Sequence, residues 1–143
     1  MFSRDGRWLA YTSNESGTHQ VYVRAFPDRG GKLQISNGGG RYPVWSNNGR
    51  ELFFRTDDNR IMVAAYKVKG DSFVADQPRV WSEKRIADMG SAIIGNYDLA
   101  PDGKRVVALM PAETAKAQQA QNKVVFLMNF FDELRRKVPL GGK

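Results

Sequence analysis

A short sequence pattern occurs three times in this chain of 143 residues, at residues 2–11 (FSRDGRWLAY), 45–54 (WSNNGRELFF) and 99–108 (LAPDGKRVVA). Each copy contains an apolar residue, a small residue, a turn ending in Asp-Gly or Asn-Gly, a basic residue and an apolar run. The turn glycines Gly6, Gly49 and Gly103 are separated by 43 and then 54 residues. A period in this range is typical of architectures in which supersecondary units stack on one another.

The residues of the repeated turn predict a β-hairpin in each copy. Asp and Asn side chains hydrogen-bond the backbone two residues further on, and Gly takes a positive φ without steric cost. We therefore expect a positive φ at all three turn glycines and an apolar strand after each turn. Because these strands are apolar at successive positions, we also expect them to be buried on both faces.

Alternating apolar segments and turn residues predict about four short antiparallel strands in each repeat, the pattern of a β-propeller blade. The predicted fold is all-β: one partial propeller domain of about three four-stranded blades, near residues 1–40, 41–90 and 91–130. Residues 131–138 have helical spacing and are followed by Pro139, which predicts a short C-terminal helix.

The repeated turns resemble the WD-like propeller repeat of the TolB family, in which a Trp-Ser-Pro-Asp-Gly-like turn precedes an apolar strand. Residues 2–11 and 99–104 are close to it, whereas residues 45–49 have Asn in place of Pro and of Asp. Residues 11–17, 21–27, 45–55 and 124–135 are similar to the C-terminal propeller of bacterial TolB-like and serine/threonine-kinase-associated proteins. The resemblance implies a scaffold for protein or ligand binding, with no catalytic residue to transfer.

The residue types that catalysis and metal binding require are sparse. The chain has no Cys and a single His, His19, which we expect to be an exposed turn residue without a nucleophile elbow to accompany it. The pair Asp57-Asp58 is typical of a hairpin turn. Residues 38–40, all glycine, are not followed by a helical segment, so we interpret them as a crossing between units rather than a phosphate loop. We predict no enzymatic activity, no metal site and no cofactor.

The formal net charge of +7 admits nucleic acid as a partner. The basic residues are mostly scattered singly at turns, which favours a solvated surface, so nucleic-acid binding is kept as a second alternative. No apolar run of about 18 residues is present, so we predict no membrane insertion. The compartment stays open, and is periplasmic or extracytoplasmic if the chain belongs to a larger TolB-like protein.

Four residues are candidates for ligand contact: Arg41, Tyr42, Asn96 and Tyr97. They precede the predicted inner strands, where propellers commonly present side chains to the axial face. The function we predict is a non-catalytic propeller segment that binds a protein partner or a small ligand. The first alternative is a sensor or accessory piece of a larger kinase or peptidase.

The end blades of a partial propeller are expected to expose apolar faces. Removing such a face from water at about 25 cal/mol per Å² favours association. We therefore predict a homo-oligomer in which open blade faces meet. The alternative is a segment of a larger propeller whose ends are covered locally, in part by the predicted helix at residues 131–138.

Overall fold

The computed structural model describes residues 1–27, 30–88 and 95–111. Within these ranges the regular secondary structure is entirely β, with ten strands in antiparallel sheets. All ten belong to the compact unit Met1–Pro111. The all-β prediction is confirmed for this part of the chain, whereas the predicted helix at residues 131–138 lies outside the described residues.

Three sheets follow one another along the chain. The first has the order β1-β2-β3 and contains β1 (Trp8–Ser13), β2 (Gln20–Ala25) and β3 (Lys32–Gln34). The second contains β4 (Arg41–Trp45), β5 (Glu51–Arg55), β6 (Ile61–Lys69), β7 (Ser72–Ala75) and β8 (Arg79–Ser82). The third pairs β9 (Tyr97–Leu99) with β10 (Val106–Ala108).

Strand number differs from the predicted four per repeat. The first sheet has three strands, with a single bridge between Phe2 and Leu9 at the position of a fourth. The second has five, because the long strand β6 pairs with β8 near its start and with β7 near its end. This sheet therefore has one strand more than predicted, and Gly70, with a φ of 57°, lies in the turn between β6 and β7.

The three repeat turns, residues 3–6, 46–49 and 100–103, share one hydrogen-bond pattern. In each, the glycine amide donates to the carbonyl three residues earlier, over 2.9, 3.0 and 2.9 Å. The glycine φ values are 69°, 66° and 66°, which confirms the predicted positive φ. The side chains of Asp5, Asn48 and Asp102 each accept a hydrogen bond from the amide two residues further on. The shared sequence pattern therefore encodes one local structure.

Successive repeat turns also contact one another. The Arg4 guanidinium donates to the carbonyl of Asn47, and the Asn47 amide donates to the carbonyl of Pro101, each over 3.4 Å. These three residues occupy the same position in their respective turns. Equivalent positions of neighbouring repeats are thus in direct contact, as in stacked repeat architectures.

The strand β5 is buried on both faces. Leu52 and Phe54 belong to a core shared with the first sheet, together with Trp8 and Val23. Phe53 belongs to a second core that includes Tyr97 of the third sheet. The three consecutive apolar residues of β5 are each 1% exposed. Burial of a large apolar side chain contributes about 1.5–3 kcal/mol, so β5 is a major source of stability in both cores.

Candidate functional site at the ends of β4, β5 and β9

Two of the four predicted ligand residues meet where β4 and β9 begin. The phenol of Tyr97 donates a hydrogen bond of 2.6 Å to the backbone carbonyl of Tyr42. Tyr97 is buried within the second core, whereas Tyr42 is half-buried at its edge. Tyr97 therefore connects the third sheet to the second instead of presenting its side chain to solvent.

The backbone at Tyr42 is irregular. Its φ is 55°, a left-handed conformation that bulky residues rarely adopt, and the β4–β5 register shifts between Arg41 and Val44. The amide of Tyr42 donates to the hydroxyl of Thr12 over 3.3 Å, which links it to the first sheet. Strained positions of this kind persist where surrounding contacts hold them, and they cluster at functional sites.

Arg41 forms an ion pair at the surface end of this group. Its Nε lies 3.2 Å from Oδ1 of Asp57, and the two side chains are 25% and 52% exposed. Asp57 belongs to the β5–β6 turn, where Asn59 has a φ of 66°. The interpretation of Asp57-Asp58 as a hairpin turn is confirmed by the amide of Asn59, which donates to the carbonyl of Thr56.

Asn96 has an internal rather than a surface role in the structure. It is 4% exposed, and its side-chain amide donates to the backbone carbonyl of Ala87. Its own backbone carbonyl accepts a hydrogen bond of 3.0 Å from the amide of Leu109. Within the described residues its Oδ1 has no hydrogen-bond partner. Asn96 therefore connects the start of β9 to Ala87 and Leu109.

Arg55 is a member of the site that the sequence analysis missed. It ends β5 and is 7% exposed, and its guanidinium carbon lies 4.9 Å from the centroid of the Tyr42 ring. In the β4–β5 ladder it is directly opposite Arg41. The available signal was an arginine that ends the apolar run of residues 52–54, a position where the strand pattern predicts burial.

Burial raises the pKa of the Tyr97 phenol, and the nearby charge of Asp98 raises it further, while Arg55 opposes the shift. With its pKa raised above the ordinary value, the phenol of Tyr97 keeps its proton throughout the physiological pH range. This protonated state is the one that can donate to the carbonyl of Tyr42. The contact between β9 and β4 is consequently independent of pH in the physiological range.

His19 and the glycine segment at residues 38–40 do not form part of the group around Tyr42 and Tyr97. His19 is half-buried rather than exposed, because it directly precedes β2 and its carbonyl accepts a bond from Gly40. A Cβ on Gly39 would lie 2.6 Å from a carboxylate oxygen of Asp57, so an acidic group faces the glycine segment. Among the described residues, no group of three or more His, Cys, Asp or Glu is arranged to hold a metal ion.

Two cavities lie away from the four predicted residues. The larger, of about 880 Å³, is bounded by the first and second repeat turns and by β6. The smaller, of about 400 Å³, includes Arg7, Asp71 and Phe73. Trp8 lines both cavities, and its indole nitrogen has no hydrogen-bond partner in the part of the chain described here.

Comparison with models of known protein families finds no match, and comparison with curated proteins finds none either. Residues 1–27, 30–88 and 95–111 contain no helix long and apolar enough to cross a membrane.

Proposed function

We propose that this chain is a non-catalytic β-propeller segment that acts as a scaffold for protein or ligand interaction. The observation that supports this proposal best is the contact between equivalent positions of the repeat turns, from Arg4 to Asn47 and from Asn47 to Pro101. Blades of a propeller stack in this way, each unit contacting its neighbours in sequence order. The burial of β5 on both faces is the packing expected of a strand within such a stack.

The binding surface in this proposal is the end of the sheets where β4 and β9 begin. In a propeller blade the first strand lies nearest the axis, so the residues that begin β4 and β9 would lie beside the central channel. Arg41 and Tyr42 are half-buried there and supply a charge and an aromatic face. Aromatic residues and arginine are the types most enriched at interaction sites.

A selection of displayed peptides on the purified chain tests this proposal. We expect selected peptides to bind the unmodified chain and to bind Arg41→Ala at least about tenfold more weakly, since charge-assisted contacts contribute about 1.5–3 kcal/mol. Arg79→Ala is the matched control, because Arg79 is an exposed arginine at 3.7 Å from Glu51 in the same sheet. Selected peptides that bind Arg41→Ala as tightly as the control would contradict the assignment of this surface.

Association of copies is a second part of the proposal. Phe2 and Phe26 are 50% and 51% exposed, and their rings meet edge to face at 4.9 Å. The three residues of β3, at the edge of the same sheet, are exposed as well. An exposed aromatic pair and an exposed edge strand in the same sheet both favour contact with a second copy.

The net charge of +7 favours nucleic acid as an alternative ligand. Several of the basic side chains are already paired with carboxylates: Arg7, Lys32, Arg41, Arg60, Arg79 and Arg105. Such pairing reduces the positive field available to phosphates. Fluorescence anisotropy with labelled duplex DNA distinguishes a nucleic-acid ligand from a protein or peptide ligand. A nucleic-acid ligand requires tight binding that weakens steeply as the salt concentration rises.

A further inference from the structure

Arg55 carries a buried positive charge that no carboxylate of the described residues balances through an ion pair. The residue is 7% exposed, and its Nε is buried without a hydrogen-bond partner. Within the described ranges its guanidinium contacts the face of the Tyr42 ring and forms no ion pair with a carboxylate. A buried guanidinium nitrogen without a hydrogen bond costs free energy, so it requires an explanation, and a functional role is one such explanation.

A second arginine lies directly opposite Arg55 in the sheet. Arg41 and Arg55 are Cα partners in the β4–β5 ladder, and like charges at directly opposed positions destabilise a sheet. In the part of the chain that the structure describes, the carboxylate in contact with this pair is that of Asp57, at 3.2 Å from Arg41. The two arginines and Asp57 together leave one positive charge uncompensated.

The aromatic neighbours shape the space around this charge. The Tyr42 ring covers one face of the Arg55 guanidinium, and a guanidinium stacked on a ring keeps its edge free for planar acceptors. The Tyr42 backbone is held in its left-handed conformation by the contacts of Thr12 and Tyr97. Arg55 is therefore pre-positioned by residues from all three sheets.

We propose that Arg55 and Arg41 form a binding site for a carboxylate side chain of an acidic peptide. A carboxylate is planar, matches the fork of a guanidinium and carries the single negative charge that balances the site. The ion pair of Arg41 with Asp57, 25% and 52% exposed, places the site at the solvent-facing end of the sheet. This inference rests on the proposed scaffold function and assigns the chemistry of its ligand.

Nuclear magnetic resonance of the arginine Nε–H groups in the full chain tests the site directly. The probes are a capped Gly-Glu-Gly tripeptide, the matched Gly-Gln-Gly tripeptide and inorganic phosphate. We expect the Nε–H signal of Arg55 to shift saturably with the Glu tripeptide and to stay unchanged with the Gln tripeptide. Equal shifts with both tripeptides, or a shift with phosphate at lower concentration than with the Glu tripeptide, would overturn the carboxylate assignment.

Variants separate a binding role of Arg55 from a structural one. We expect Arg55→Gln to weaken binding of the Glu tripeptide at least about tenfold and Arg79→Gln, the exposed arginine of the same sheet, to leave it unchanged. In the absence of peptide, Arg55→Met is expected not to lower the urea midpoint, because it removes an unbalanced buried charge. A clear fall in that midpoint would assign Arg55 to the fold instead.

The outcomes also distinguish this inference from the scaffold function. If selected acidic peptides bind the chain while the Arg55 signal does not move, the scaffold function stands and the arginine site is rejected. If neither acidic nor other displayed peptides bind, the scaffold function fails, and a shift with the Glu tripeptide would then support an isolated carboxylate site.

Discussion

Gly103 lies at the closest approach between two repeat turns and offers a sharp test of their stacking. A Cβ added to Gly103 would lie 2.6 Å from the hydroxyl oxygen of Ser46, in the preceding turn. Ser46 is 2% exposed, so its side chain has little room to move away. Gly49 has the same φ of 66°, but a Cβ there would have no heavy atom within 4 Å. The two glycines therefore form a matched pair.

The expected costs follow from these contacts. Alanine at a left-handed position costs roughly 1–2 kcal/mol, and this strain applies equally to Gly49→Ala and Gly103→Ala. Gly103→Ala adds an overlap with Ser46, and forced contacts in packed regions cost about 1–3 kcal/mol. We expect Gly49→Ala to lower the free energy of unfolding by about 1–2 kcal/mol and Gly103→Ala by about 2–5 kcal/mol.

Urea unfolding followed by tryptophan fluorescence measures the difference, since the chain contains three tryptophans. The variants are compared at the same slope of unfolding free energy against urea concentration, so that a change in the urea midpoint reports a change in stability. The double variant Ser46→Ala/Gly103→Ala should recover part of the loss, because the overlapping oxygen is removed. Equal destabilisation by Gly49→Ala and Gly103→Ala would refute the packing of the third repeat turn on the second.

Three further predictions concern single contacts. Tyr97→Phe should lower the free energy of unfolding by about 1 kcal/mol through loss of the bond to Tyr42, whereas Tyr11→Phe should have little effect in the same urea assay. Hydrogen bonds from the Lys104 amide and from Arg105 hold the pKa of Asp102 below its ordinary value of 3.8. The ionised carboxylate of Asp102 therefore stabilises the fold fully above pH 3.8, and this stabilisation is lost as the pH falls through the lowered pKa. Asp102→Asn should therefore reduce the acid sensitivity of the urea midpoint. Light scattering should detect concentration-dependent association that Phe26→Ser weakens, and a monomer at all micromolar concentrations would contradict association through this aromatic pair.

The sequence alone was sufficient for the hairpin turns and for most strands. The position of each repeat turn follows from local chemistry. The side-chain oxygen of an Asp or Asn accepts a hydrogen bond from the backbone amide two residues further on, and the residue between them is a glycine with positive φ. The prediction of short antiparallel strands is confirmed for the same reason, because alternation and turn residues act over a few positions. The second sheet has one strand more than predicted, because the turn at Gly70 and Asp71 divides residues 61–75 into β6 and β7.

The candidate site was partly accessible from the sequence. Arg41, Tyr42, Asn96 and Tyr97 were selected because they precede inner strands, and the structure brings Tyr42 and Tyr97 into contact. The role of each of these four residues could not be predicted from the sequence. The sequence pattern does not distinguish Tyr97, which donates to a backbone carbonyl in the core, from Arg41, which pairs with Asp57 near the surface.

What the tertiary structure decided is the set of contacts between residues distant in the chain. The burial of Arg55, its position opposite Arg41 and its stacking on Tyr42 depend on the register of β4 against β5. That register shifts between Arg41 and Val44, where Pro43 indicates an irregularity but does not determine which residues end up paired. The stacking of Gly103 on Ser46 likewise requires two turns from different repeats to meet. Turn chemistry is set by neighbours in sequence, whereas register, burial and charge balance are set by all the packed sheets together.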